Sequence, residues 1–327
     1  MANIRQIAAL AGVSVTTVSR VLNNHPYVSK EKREAVQKAV QQLNYVRNSN
    51  AVHLKKGKTL TIGVILPYLN NPYLNAPVEG IVSEALRSGY RVTLCQTDYR
   101  PEQESDALDM LKTKEVDGIV ICSRSNSWEQ LVPYTQYGPI VVCEDSGKWA
   151  ISSVYIDHYR SFLLGMNHLI SKGHRRIGYC IGRKNSHTSQ ARRQAYYDVL
   201  AAWEEPVPVS EEWLFYEHLS IEAGIEAARK LCKLQVRPTA MMMASHQSAA
   251  GMVTELRKQG IRVPEDLAVI GFDTDPIAQI LDITAVEHPS MEVGRIAFNL
   301  LYQHIHERTY VPQKCEVPFC LVERSTV

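Results

Sequence analysis

The sequence predicts two units of different class: an all-α helix-turn-helix head over residues 1–47 and a two-lobed α/β core over residues 60–327, joined by a short basic segment at 48–59. Three observations carry this. Apolar residues recur at helical spacing on both sides of Gly12, buried-strand runs alternate with amphipathic helices from Thr61 onward, and the charge is unevenly divided. Residues 1–60 hold ten Lys/Arg against two acidic residues, a balance of +8, which leaves −6 for the remaining 267 residues of a chain whose total is +2. A basic head on a mildly acidic body suits a nucleic-acid module fused to a ligand or partner domain.

In the head, Ile4, Ile7, Ala8 and Ala11 make one apolar face, and Gly12 permits the sharp turn that two helices at an angle require. Ser14 is the expected N-cap of a second helix, which turns Val15, Val18, Val21 and Leu22 toward a core and leaves Thr16, Thr17, Ser19 and Arg20 as hydrogen-bonding positions. Asn23 to Tyr27 carry turn chemistry. Ser29 is placed to cap a third helix with Val36, Ala39, Val40 and Leu43 on its apolar face.

From Leu60 the period changes. Thr61–Leu66, Tyr90–Cys95, Gly118–Cys122 and Ile140–Cys143 read as buried strands, followed by a second set at Ile177–Ile181, Ala240–Met243 and Leu267–Phe272. Helices are expected around Phe162–Ser171, Arg192–Trp203, Ile221–Leu231 and Ala249–Gln259. The two sets give two lobes, an N-lobe of about 60–158 plus 289–317 and a C-lobe of about 159–288 plus 318–327.

Composition narrows the function classes. Hydrophobic residues at 45% and charged residues at 21% are ordinary for a globular chain that can bury its own core. The seven cysteines are odd in number and sit mostly inside apolar runs, and no Cys/His set has metal-ligand spacing, so reduced core thiols and no metal or cofactor are expected. No apolar run of 18 residues and no export signal is present, which points away from a membrane and toward the cytoplasm. Enzymatic signatures fail as well. Gly57-Lys58-Thr59 ends like a phosphate-binding loop but lacks its first glycine, and His168 and His174 read as turn or satisfied histidines, so no enzyme is expected.

Residues Ala11 to Asn23 resemble the recognition segment of the LacI/GalR family of bacterial repressors almost position for position, and the phrases Asn23–Ser29 and Gly63–Pro67 resemble its catabolite control branch. That resemblance implies a periplasmic-binding-protein-like core and a homodimer that represses carbohydrate or carbon catabolite genes from a pseudo-palindromic double-stranded operator. It places Val15, Thr16 and Arg20 against base edges. With Thr17, Asn23, Ser29, Tyr45 and Asn48 they form the candidate DNA-binding set, completed by Leu54 as the wedge of a minor-groove hinge helix. Arg47 and Val52 stand where the family usually has proline and arginine. The absence of a C-terminal heptad run favours a dimer over a tetramer.

For the core, the resemblance implies an effector between the lobes, at strand carboxyl ends. The candidates are Tyr73 on the first strand-to-helix connection, Glu144, Arg193, Asp273, and Ser245 with His246, which replace the family's usual amide and carboxylate. A small-molecule effector, a sugar or sugar phosphate, is one expectation. Serine-phosphorylated HPr, a protein corepressor of related members, is another, although Asn299 and Gln303 stand where a related member has basic residues. The alternative function is a small-molecule (sugar) binding protein on the same scaffold.

Overall fold

The computed structural model describes residues 3–45, 57–70, 72–203, 209–273, 276–307 and 310–327, and the chain divides into two compact units, 1–59 and 60–327. The head contains α1 (Ile4–Leu10), α2 (Val15–Leu22) and α3 (Lys30–Gln42). Asn3 and Gln6 form a reciprocal capping box on α1, Gly12 takes the left-handed conformation (φ 62°), and the Ser14 hydroxyl accepts from Thr17 N at 3.2 Å. Ile7, Ala8, Val18, Val21, Val36 and Ala39 make the head's core. Ser29 sits at the N-cap of α3, but its hydroxyl makes no capping bond.

The core opens with β1 (Thr61–Leu66), α4 (Pro72–Arg87), β2 (Arg91–Gln96), α5 (Pro101–Lys112), β3 (Gly118–Ile121), α6 (Trp128–Leu131), β4 (Ile140–Val142) and β5 (Ser152–Tyr155). It continues through α7 (His158–Ser171), β6 (Ile177–Cys180), α8 (His187–Ala201), β7 (Leu214–Phe215), α9 (Ile221–Cys232), β8 (Ala240–Met243), α10 (His246–Lys258) and β9 (Ala268–Phe272). Last come α11 (Pro276–Ile280), β10 (Ala285–Glu287), α12 (Ser290–His306), β11 (Lys314–Glu316) and β12 (Cys320–Val322). Two six-stranded sheets result, in the orders β11-β5-β4-β3-β1-β2 and β12-β10-β9-β8-β6-β7. Every pairing is parallel except β10 with β12.

Because each sheet is covered on both faces, its inner strands β3, β4, β8 and β9 are buried at every residue. On β1, Ile62, Val64 and Leu66 join one cluster while Ile65 joins the cluster on the opposite face. The chain crosses between lobes at 155–158, 287–290 and 316–320, since α12 packs on α4 and on the first sheet while β12 belongs to the second. α4 and α12 meet through glycines: a Cβ on Gly294 would stand 1.9 Å from Pro77 O, and one on Gly80 would stand 2.1 Å from Met291 O.

Several helices start earlier than hydrophobic periodicity places them. α7, α8 and α10 begin behind the caps Asp157, Ser186 and Ser245, each accepting a backbone N–H, so their first turns are polar and point toward the strand ends. Strands β5, β7 and β10 escaped the apolar-run criterion. Ser152 and Ser153 of β5 are fully buried but hydrogen-bonded, Ser152 to His304 Nε2 at 2.8 Å and Ser153 to Ser146 at 3.2 Å, while β7 and β10 have only two and three residues.

Candidate functional site

On α2 the apolar stripe turns inward and leaves a polar ridge outside. Thr16 and Arg20 are exposed, and Val15, one of the periodic apolar positions, is exposed as well at 42%. A side chain of this type on an exposed helix start suits apolar contact with a thymine methyl, beside Thr16 and Arg20 as hydrogen-bonding neighbours. Two members of the candidate set also hold the head together. Thr17 Oγ1 lies 2.9 Å from the Ser14 hydroxyl, and Asn23 Nδ2 donates to Ser19 O at 2.7 Å, closing the end of α2. Tyr45 packs partly buried against the head's core. Asn48 and Leu54, with Arg47 and Val52, lie outside the described residues.

In the core, a cleft of about 790 Å³ separates the carboxyl ends of the two sheets. Tyr73, Glu144 and His246 line it, as do His158, His187 and His288. Glu144 accepts from Arg124 N at 2.8 Å and pairs with the Arg124 guanidinium at 3.4 Å; burial raises its carboxyl above the ordinary value against the pull of Arg124. Burial and the nearby Asp273 push the Tyr73 phenol up, so it stays a neutral O–H donor.

The buried cation of the cleft is Arg192, not Arg193. Arg192 is 3% exposed, donates to Ala244 O at 3.3 Å, lies 3.2 Å from His158 Nδ1, and holds its guanidinium 4.1 Å from the Phe272 ring centroid. Burial pushes its pKa down to about 10, with Tyr73 and Asp273 pulling the other way. Arg193 points to the neighbouring face of α8, 5.8 Å from the Tyr216 ring and outside the lining. The reason is helical geometry, and the signal was present: Arg192, Ala195, Tyr196 and Val199 recur at i, i+3, i+4 and i+7, all buried.

Two further candidates sit behind the wall. Ser245 caps α10, bonding Ser248 N at 3.0 Å and Leu219 O at 2.6 Å, and does not line the cleft. Asp273, with φ at 90°, turns its carboxylate to His288 Nε2 at 2.9 Å and accepts from the Ser290 hydroxyl at 2.9 Å. Burial pushes its carboxyl up, but the partners His288 and Ser290 outweigh that and hold it below the usual range. His288, which lines the cavity, therefore stands between Asp273 and the cleft. Periodicity could not find it, because β10 ahead of it is only three residues long.

With the geometry in hand, comparison with known proteins is direct. Residues 3–48 match the model of bacterial regulatory proteins of the lacI family, and residues 59–325 match that of periplasmic binding proteins and the sugar binding domain of the LacI family. The chain belongs to the LacI family. Among LacI-family relatives, it is 39% identical to the HTH-type transcriptional regulator YkvZ of Bacillus subtilis (strain 168) over 327 residues, the whole of both chains. It is 35% identical to catabolite control protein B of the same organism over 304 residues, covering 93% of this chain and 95% of that one. The lac repressor dimer bound to operator and the anti-inducer ONPF has the same architecture, at a TM-score of 0.84 and 25% identity over 99% of this chain and 98% of that one. This LacI-family chain is thus a DNA-binding transcriptional regulator with a two-lobed α/β regulatory domain. Among its described residues, no helix is long and apolar enough to cross a membrane, and no cluster of His, Cys, Asp and Glu is arranged to hold a metal ion.

Proposed function

We propose that this regulator is a homodimeric repressor of carbohydrate genes whose hold on a pseudo-palindromic operator is set by a sugar-type metabolite in the interlobe cleft. The observation that carries the reading is the cleft itself, in which a buried guanidinium, the Asp273–His288 pair and a ring of aromatic side chains supply donors, acceptors and apolar faces for a polyol. Arg192 and His288, with Tyr73, Glu144 and His246, would contact the ligand; Ser245 and Asp273 would position those that do. On the head, Val15, Thr16 and Arg20 would read bases, with Thr17, Asn23, Ser29, Tyr45 and Asn48 supporting backbone contact and Leu54 as the wedge.

A second copy has a surface to use. Val82 and Leu86 of α4 and Leu94 of the edge strand β2 are 39%, 77% and 42% exposed in the single chain. Two heads then set half-site spacing on the operator. Action on chromosomal DNA places the regulator in the cytoplasm, where its seven free cysteines stay reduced.

Footprinting of the full chain on its own promoter region, with and without glucose, sucrose, cellobiose and their phosphates, tests the reading. A change in protection at one of these sugars supports it, and the sign of the change separates inducer from corepressor. Protection altered only by serine-phosphorylated HPr would replace the metabolite with a protein signal, and no footprint at all would remove the operator reading.

A further inference from the structure

One contact spans the mouth of the cleft without any ligand. Arg183, in the loop that leaves β6 of the C-lobe, places its guanidinium carbon 3.4 Å from the ring centroid of Tyr99, in the turn that leaves β2 of the N-lobe. This is the shortest cation–ring distance in the described chain. Both residues line the cavity, and among the described residues no carboxylate pairs with Arg183.

The N-lobe side of this contact is braced. Asp98 and Tyr99 are successive left-handed residues, φ 51° and 56°, in a turn closed by Arg100 N donating to Thr97 O at 2.8 Å. Side chains larger than glycine rarely adopt that conformation, and here it aims the Tyr99 ring across the cleft. Tyr68 packs edge-on against the ring at 5.6 Å, and the Tyr99 hydroxyl lies 3.3 Å from that of Ser123. Gln96 ties the two N-lobe loops together, accepting from Leu69 N at 3.1 Å and donating to Asp98 Oδ1 at 2.8 Å. Only the Arg183 side of the contact belongs to the other lobe.

We propose that Arg183 stacked on Tyr99 is an interlobe clasp that holds the cleft closed in the ligand-free regulator. A cation held over an aromatic face and partly shielded from water shifts the closed-to-open ratio by about five- to thirtyfold. The clasp makes closure a property of the chain and not only of its ligand. An effector whose bound state keeps the clasp broken loses apparent affinity by about the same factor, whereas a ligand that leaves the clasp intact gains from the closure already present. This regulatory consequence rests on the reading of the cleft as the effector site; the clasp itself does not.

The test uses the full chain without sugar or DNA. Bio-orthogonal spin labels at Glu102 and Gln190, exposed positions on α5 of the N-lobe and α8 of the C-lobe, report the interlobe distance by pulsed dipolar spectroscopy. Arg183→Ala and Tyr99→Leu are each expected to move about five- to thirtyfold of the closed-to-open ratio toward longer distances. Tyr99→Phe, which keeps the ring and loses only the hydroxyl, should retain the parent distribution. Unchanged distances in both Arg183→Ala and Tyr99→Leu would overturn the clasp, and so would a Tyr99→Phe protein as open as Tyr99→Leu. Because no ligand enters the experiment, a failure of sugars to act on the operator leaves its outcome unaffected.

Discussion

Replacing Arg192 by methionine separates what the buried guanidinium does for binding from what it does for folding. Burial that lowers the Arg192 pKa to about 10 means that keeping it charged costs the fold about 3 kcal/mol, at 1.36 kcal/mol per pKa unit. In return the guanidinium makes two long hydrogen bonds to neutral acceptors, at 3.3 Å and 3.2 Å, each worth about 1.5 kcal/mol because the donor is charged. Methionine fills nearly the same volume, and its thioether replaces the cation over Phe272 with a sulfur–aromatic contact. The two sides nearly cancel, so Arg192→Met should stay within about 1 kcal/mol of the parent, a change of no more than about 2–4 °C in the melting temperature of the core. Thermal unfolding of the ligand-free chain reads the first effect, and calorimetric titration with sugars reads the second, a loss of binding. A variant that melts lower by more than that margin would refute the reasoning, because it would make Arg192 a structural strut and not a cation reserved for a ligand.

Other expectations concern the head, the helix crossing and pH. Arg20→Ala should weaken operator binding by about 1–3 kcal/mol and relax preference at one base position; equal loss on random DNA would reduce Arg20 to a phosphate contact. Gly294→Ala places a Cβ 1.9 Å from Pro77 O, so the α4–α12 crossing should lose about 1–3 kcal/mol in urea unfolding, and a variant as stable as the parent would show that the helices can part without cost. Burial, reinforced by Arg192 and by His288 and His187, holds His158 well below the usual histidine value, so it stays neutral when folded while the unfolded chain takes up a proton below pH about 6.5. Stability should therefore fall as pH drops from 7 toward 5.5, with His168, His174 and His304, also depressed chiefly by burial, acting in the same direction. His158→Gln should make that decline shallower, which melting curves across the interval measure; an unchanged slope would place the lost protons elsewhere.

Local chemistry was enough for much of this molecule. The head's apolar positions, Gly12 and the Ser14 cap lie within a few residues of one another, so periodicity and turn rules identify the helix-turn-helix before any packing is known. Long strands buried on both faces announce themselves as apolar runs, and the charge of +8 over residues 1–60 requires only counting. Membership of the LacI family was legible for the same reason, since its motif is contiguous between Ala11 and Asn23.

Tertiary structure decided the cleft. Which of two adjacent arginines enters it depends on the face of α8 that packs on the second sheet, and the capping bonds that turn Ser245 away from the cavity come from Ser248 and from Leu219, 26 residues distant. Asp273 reaches the wall only through His288, 15 residues further on, after a strand too short to read. Arg183 and Tyr99 are 84 positions apart and belong to different lobes, so no window of sequence contains both. Helices and strands follow from neighbours along the chain, whereas a site between two lobes is an accident of sequence distance that only the packed sheets bring together.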